Sequence, residues 1–418
     1  MQIALILIGD EILSSKVQDK NAPYLATSLS KKGLALSKIS IISDQEHVIT
    51  EEMQKALSQF DIIFVSGGLG PTLDDKTKIS LSHLLQAPIE KNPEALVLAQ
   101  ANSIRLGKTF NSSLSQYDLT PRGCLLFNNP TGLALGLGFH DKENKKIILC
   151  APGVPKEFSA MLEQEFFPYL EQHSFFPPSI CEQMTFRVHG LPEEKIFFDV
   201  APNLWEHLSH LGKVSSLPQT LNVDIGIFLQ AESSEDLKNK KEKVKEILDH
   251  SPIAPYIWTC EPLTLPELII KKCIEQKRTI SLVESCTGGL ISSELTNIPQ
   301  ASQVLKGAMV AYTPFFKQNF LDLSLDFLQN NLLVSEACAK AMAENLFKKT
   351  NTDLTMAITG VTGIGPDAQA TPQGLAFVAI TRNQKTQVHQ LFFPQGSRRE
   401  IKEKFCTQAL FLLLKQLD

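Results

Sequence analysis

No uninterrupted apolar run in this 418-residue sequence reaches the roughly 18–20 residues that cross a bilayer as a helix. The apolar start, Met1-Gln2-Ile3-Ala4-Leu5-Ile6-Leu7-Ile8-Gly9, is short and has no basic residue before it. It runs into Asp10-Glu11, so it reads as a buried strand and not as a signal peptide. The eight cysteines (Cys124, Cys150, Cys181, Cys260, Cys273, Cys286, Cys338 and Cys406) are scattered, with no pair at CxxC spacing. A zinc site or disulfide framework is not expected, and a reducing cytoplasm suits the pattern. Nine histidines offer no metal-ligand constellation, and His207 and His210 read as two surface residues on one helix face. A basic excess is also missing: Lys plus Arg total 40 against 45 Asp plus Glu, a net charge of −5. That balance argues against nucleic acid as the main partner.

Apolar residues are plentiful, at 43%, enough for ordinary cores in about three domains by length. Two segments share one construction, an apolar strand running into a glycine-rich turn. The first is Ile62-Ile63-Phe64-Val65 followed by Ser66-Gly67-Gly68-Leu69-Gly70-Pro71-Thr72, with Asp74 and Asp75 behind. The second is Ile280-Ser281-Leu282-Val283 followed by Glu284-Ser285-Cys286-Thr287-Gly288-Gly289. Glycines after a strand let backbone N–H groups face an anion without Cβ interference. A following helix N-terminus adds a field that favours phosphate. Two such turns imply two sites in two domains, both suited to nucleotide-like ligands.

The chain divides into three segments. Residues 1–172 alternate strands (Ile3–Ile8, Ile62–Val65, Ile147–Ala151) with helices (Asn21–Lys32, Ile79–Leu85), the pattern of a parallel sheet covered on both faces. Ligands of such sheets lie beyond the carboxyl ends of the strands. The turns after Ile8, Val65 and Ala151 are therefore expected to converge on one cleft. Pro177-Pro178 breaks the chain. Residues 179–256 read as a small α+β linker with strands Gln183–His189 and Asn222–Phe228. Its charged helix Glu235–Leu248 carries Leu237, Val244, Ile247 and Leu248 on one face, an amphipathic helix with a solvated side. Residues 263–418 open with Thr264-Leu265-Pro266-Glu267, which has capping-box spacing. Strands (Ile280–Val283, Ala308–Tyr312, Leu354–Ile358, Leu375–Ile380) and helices then alternate to a terminal helix from about Arg399. The fold class is α/β: two three-layer domains with mainly parallel sheets, joined by the small α+β module.

In the last segment Ser285 and Cys286 are both candidate nucleophiles on the turn. Tyr312 and Lys317 follow a strand and are close enough in sequence to line the same mouth. A serine needs its proton removed, which a lysine of depressed pKa or a tyrosine relay can do. A free cysteine is the better nucleophile, but its thiol is only a few per cent ionised at neutral pH. The spacing leaves the choice open, and also leaves open a phosphate-binding turn without hydrolysis.

Val283-Glu284-Ser285-Cys286-Thr287-Gly288-Gly289, Ala311-Tyr312-Thr313, Lys317, Val334-Ser335-Glu336, Thr359-Gly360-Val361-Thr362-Gly363, Pro372-x-Gly374 and Gly396-x-Arg398 resemble the signature of the CinA C-terminal domain. Gly9-x-Glu11-Ile12-Leu13, Asn21, the Ser66–Asp75 run and Pro152-Gly153-Val154-Pro155-Lys156-Glu157 resemble its N-terminal partner, which is related to MoaB/MogA-type molybdopterin-binding proteins. The middle segment is similar, more weakly, to a KH-like module.

The resemblance implies hydrolysis of the nicotinamide mononucleotide (NMN) amide, a step of NAD salvage that needs no cofactor. Ser285 would be the nucleophile, with Lys317 and Tyr312 managing its proton and Thr359 orienting the amide. Glu284, Thr287, Gly288, Gly289, Gly360 and Arg398 would bind substrate, Arg398 at the phosphate. For the N-terminal half it implies metal-dependent cleavage of ADP-ribose, with Asn21, Gly67, Gly68, Gly70, Pro71 and Thr72 at the nucleotide. Asp74 and Asp75 would hold a divalent cation, or else merely cap the next helix. It also implies a homodimer. The alternative is a nucleotide- or pterin-binding accessory protein linked to competence, without turnover.

The sequence departs from the family pattern at Asp10 (usually threonine), Ser14-Ser15 (leucine, glycine), and Leu133 and Leu135 (threonine, proline). Further departures are Thr313-Pro314-Phe315-Phe316, which lacks the polar Ser-Asn-Glu, Ile364-Gly365-Pro366-Asp367 in place of Pro-x-Gly-Gly, and Ser397 in place of aspartate. These bear on substrate preference more than on reaction class.

Overall fold

Alternate residues of the first strand serve two different cores. Ile3, Leu5 and Leu7 join Leu25, Phe64 and Phe158 in one apolar cluster. Ala4, Ile6 and Ile8 join Ile49, Met53 and Ile63 in another. A strand whose side chains alternate across the sheet fills both clusters only if helices cover both faces. In this computed structural model, which describes residues 1–72, 74–108, 116–176, 180–363 and 370–417, that is the arrangement.

The strands in chain order are β1 (Ile3–Ile8), β2 (Lys38–Ile42), β3 (Ile62–Ser66), β4 (Ile89–Lys91), β5 (Leu119–Pro121), β6 (Leu125–Phe127), β7 (Gly136–Asp141) and β8 (Lys146–Ala151). There follow β9 (Ile180–His189), β10 (Lys213–Gln219), β11 (Asn222–Ala231), β12 (Ile257–Thr259), β13 (Ile280–Glu284), β14 (Leu305–Val310), β15 (Leu354–Gly360), β16 (Leu375–Arg382) and β17 (Lys385–Phe392). The described residues form two compact units, 1–183 with 228–242, and 184–227 with 243–418.

In the first unit the sheet runs β2-β1-β3-β8-β7-β6. It is parallel from β2 to β8 and antiparallel from β8 to β6. Strands β4 and β5 form a separate antiparallel pair. Leu7 pairs with Ser66 and Ser66 with Ala151, so β1, β3 and β8 end in one row. Their following turns leave side by side, as the sequence predicts.

The segment 179–256, expected as a middle module, supplies β9, β10 and β11 to a sheet ordered β10-β11-β9-β12. Its residues are shared between the two units. The helix Ser234–Asp249 buries Val244 and Leu248 and exposes its charges, the amphipathic pattern read from the sequence. The break at Pro177-Pro178-Ser179 lies outside the described residues.

In the second unit the sheet runs β14-β13-β15-β16-β17. It is parallel through β14, β13 and β15 and antiparallel beyond. Here too the sides split: Ile280, Leu282, Leu354, Met356 and Ile358 pack with the terminal helix Arg398–Lys415. Val283 and Ala357 pack with the helix Glu336–Thr350. The N-terminus of Leu265–Glu275 closes with the expected capping box between Thr264 and Glu267. Among the described residues no helix is long and apolar enough to cross a membrane.

Candidate active sites

In the first unit Asn21 ties the strand ends together. Its side-chain amide donates to Ser66 Oγ (2.8 Å) and to the Gly153 carbonyl (2.9 Å), and its Oδ1 is buried without a partner. Gly67 N–H donates to the Ala151 carbonyl at 3.0 Å. Gly67 and Gly68 take φ of +114° and +66°, where an L side chain is strained. A Cβ on Gly67 would also stand 2.5 Å from the Ile8 carbonyl oxygen.

These turns wall a cleft of about 520 Å³ lined by Glu11, Asp44, Gly67, Gly68, Gly70, Asp74, Asp75, Lys108, Tyr117, Leu133, Gly153 and Glu157 among others. Pro71 and Thr72 are exposed and do not line it. Asp75 accepts from Thr72 N–H (2.9 Å) and from the Thr72 hydroxyl, so its carboxylate braces the turn. Asp10 is exposed and its N–H donates to Asp44 Oδ2 at 3.0 Å. Burial, and to a lesser degree the charges of Glu11, Asp10 and Asp74, push the Asp44 carboxyl above its ordinary range.

Among the described residues no group of three His, Cys, Asp or Glu could hold a metal ion. The expected cation site is thus no ready-made cage, and a cation at Asp74 would need ligand oxygens from its substrate. Lys108 and Tyr117, which sequence reasoning passed over, also line the cleft. Their only signal is tertiary.

In the second unit β13 and β15 again end together, Glu284 opposite Ile358. Ser285 N–H donates to the Ile358 carbonyl at 3.1 Å. Glu284, expected among the substrate-binding groups, is fully buried and lies under the turn. Its carboxylate accepts from Gly289 N–H (3.0 Å), Ile291 N–H (3.1 Å) and Ser292 N–H (2.8 Å). It thereby caps the helix Leu290–Thr296 from the strand and takes Gly289 N–H away from any ligand. Gly288 N–H is spent on the Ser285 carbonyl at 3.1 Å. The turn's remaining donors are the N–H groups of Cys286 and Thr287. The Thr287 hydroxyl is buried with no partner among the described residues.

Lys317 is held by the helix Pro314–Leu321, which starts at Thr313 with its side chain accepting from Phe316 N–H and Pro314 in the first turn. Only Lys317 and Leu321 of that helix are buried. The Lys317 ammonium donates to the Ala311 carbonyl (2.8 Å) and stands 3.2 Å from Ser285 Oγ. Both side chains are at least nine-tenths buried, with 2% and 7% of their surface exposed. Burial lowers the Lys317 pKa from the ordinary lysine range.

Cys286 packs in the apolar cluster with Ile291 and Ile401, and burial drives its thiol up to about 12. Tyr312 is exposed and accepts from Arg398 Nη2 at 3.0 Å, so its phenol is turned to the arginine and not to Ser285. The Thr359 hydroxyl is buried and donates to the Leu333 carbonyl at 2.9 Å. A Cβ on Gly360 would stand 2.5 Å from that of Ala376, so this glycine serves strand packing. The altered loop Ile364-Gly365-Pro366-Asp367 lies outside the described residues.

Residues 4–172 match the family described as probable molybdopterin binding domain, and residues 263–417 match the CinA C-terminal domain. A CinA-like protein of Sulfurihydrogenibium sp. is 30% identical over 417 residues, 99% of this chain and 98% of that one. A putative competence-damage inducible protein of Alkaliphilus oremlandii is 30% identical over 419 residues, 100% and 99% of the two chains. The solved structure of competence damage-inducible protein A (ComA) from Klebsiella pneumoniae covers 37% of this chain and 94% of its own, at 24% identity and a TM-score of 0.36. With full-length relatives at this identity and both domain families in this order, the chain belongs to the CinA family.

Proposed function

We propose that the second unit hydrolyses the carboxamide of nicotinamide mononucleotide to the carboxylate, releasing ammonia. The observation that carries this reading is the 3.2 Å approach of Lys317 Nζ to Ser285 Oγ, with the amine desolvated. A buried lysine of lowered pKa has a neutral form within reach, and a neutral amine can accept the serine proton. Ser285 Oγ attacks the amide carbon as Lys317 takes the hydroxyl proton. The tetrahedral oxyanion faces the N–H groups of Cys286 and Thr287, the donors the turn leaves open. Lys317 then gives its proton to the departing nitrogen, ammonia leaves, and an acyl-serine remains. Water, deprotonated by the same amine, cleaves that ester and restores Ser285. Arg398 offers a planar fork to the substrate phosphate, steadied by Tyr312. Cys286 packs into the apolar cluster and its thiol is pushed up to about 12, so it stays protonated at neutral pH and is the poorer candidate. The free state of all eight cysteines suits a reducing cytoplasm.

Purified protein given this nucleotide should release ammonia, and Ser285→Ala should abolish the release. Wild-type rates in that variant would end the proposal. Tight nucleotide binding by the wild type with no product would favour the accessory-protein reading instead.

A second reading concerns the cleft of the first unit: hydrolysis of an ADP-ribose-type diphosphate. It is favoured by the glycine turn, whose backbone can approach an anion, and by Asp74 beside it. A divalent cation held there by Asp74 and the diphosphate oxygens would neutralise charge on the phosphates.

A further inference from the structure

A cation that the sequence patterns do not single out stands over the nucleophile turn. A Cβ built on Gly288 would lie 3.5 Å from Lys402 Nζ, so the ammonium rests directly above that glycine. Gly288 has φ of +63°, which presents its bare α-carbon to the lysine. Lys402 is half-buried, yet among the described residues no hydrogen bond or ion pair holds its ammonium. A partly desolvated cation without a directly paired carboxylate is costly, and such a group is poised for an anionic ligand.

Arg398 lies one turn earlier on the same helix, Arg398–Lys415, and residues four apart share a helix face. Its Nη1 would be 3.6 Å from a Cβ on Gly363, which places the guanidinium beside the turn that follows β15. The two cations thus face neighbouring turns, at the ends of two adjacent parallel strands. The N-terminus of this 18-residue helix adds a field of the same sign. The buried, unpartnered Thr287 hydroxyl lies in the turn next to Gly288.

Resting on the amidase reading, we infer that Lys402 and Arg398 together hold the phosphate monoester of the substrate, and that Lys402 makes the site select a nucleotide over its nucleoside. Arg398 supplies a bidentate fork; Lys402, one turn along the same helix face, supplies a compact charge. The two cations match the near-dianionic charge of a phosphate monoester at neutral pH. A nucleoside leaves both uncompensated.

Calorimetric titration of the full chain with ribose 5-phosphate reads this anion site without turnover. Lys402→Met is expected to weaken binding ~10- to 100-fold, the loss of one charge-assisted contact, while Lys402→Arg recovers most of it. In the ammonia assay Lys402→Met should raise KM for nicotinamide mononucleotide far more than KM for nicotinamide riboside. Equal affinity of Lys402→Met and wild type for ribose 5-phosphate would overturn the inference, as would no binding by the wild type. If the wild type binds ribose 5-phosphate through Lys402 yet releases no ammonia from the nucleotide, the amidase reading fails and the anion site stands.

Discussion

Lys317 is costly to the fold at any pH where it carries a proton, because its ammonium is sealed from water with only a carbonyl and a serine hydroxyl for company. Its folded pKa is lowered by desolvation, against about 10.4 for a solvated lysine. Between those two values the unfolded chain binds the extra proton, so stability rises with pH across that window. Below the folded value both states are protonated and the penalty stands in full. Lys317→Met should therefore melt higher than wild type at low pH, with the gap shrinking as pH climbs toward the solvated value. Thermal melts of the two proteins across pH check this, and a gap independent of pH would contradict it. On the amidase reading the same titration governs catalysis: kcat/KM should rise with pH to a plateau, its midpoint below that of free lysine. Lys317→Arg should be inactive, since a guanidinium does not give up its proton. The choice between Ser285 and Cys286 is open in the sequence; the amidase reading takes Ser285 because Lys317 Nζ stands 3.2 Å from its Oγ, a tertiary contact that no spacing encodes.

The element that positions Ser285 is the join between β13 and the helix Leu290–Thr296, and one carboxylate makes it. Glu284 ends the strand and reaches over its own turn to three backbone N–H groups at the helix start. Helix N-termini carry unmet donors and a partial positive charge, so a buried carboxylate there is matched on both counts. Glu284→Gln keeps the shape but offers one acceptor oxygen and a surplus donor. It is expected to cost about 2–4 kcal/mol in denaturant unfolding, in line with losing charge-assisted bonds in a buried site. On the amidase reading activity should fall with it, because the turn carries Ser285. A variant with wild-type stability would refute this role. The sequence showed the strand, the glycines and the helix here because each is a local pattern. It did not show that Glu284 serves the turn instead of the ligand, since that depends on a side chain folding back across seven residues. For the same reason Lys402, more than 100 positions from Gly288, was invisible. Strand β17, Lys385–Phe392, was missed for another reason: as an edge strand it alternates exposed polar residues and has the composition of a loop.

At the scale of the molecule, the two candidate sites are built on separate cores. The clusters around β1, β3 and β8 share no residue with those around β13 and β15. Each site uses the same device, parallel strands ending in one row with a glycine turn at the edge. That repetition is why both were legible from an apolar run followed by glycines. What surrounds each turn differs: carboxylates, Lys108 and Tyr117 in the first unit, and Lys317, Arg398 and Lys402 in the second. The first has an acidic wall with no metal cage among the described residues, whereas the second gathers cations around a buried serine. Such sites should fail independently. In the full chain Asn21→Ala removes the amide that ties Ser66 to Gly153, at a cost of about 1–3 kcal/mol for buried groups left unpaired. It should depress AMP formation from ADP-ribose while leaving ammonia release from nicotinamide mononucleotide unchanged. Ser285→Ala should do the reverse. Both activities are to be read on the same two preparations, and loss of both from either single substitution would mean that the sites are coupled and that separate cores do not make separate functions.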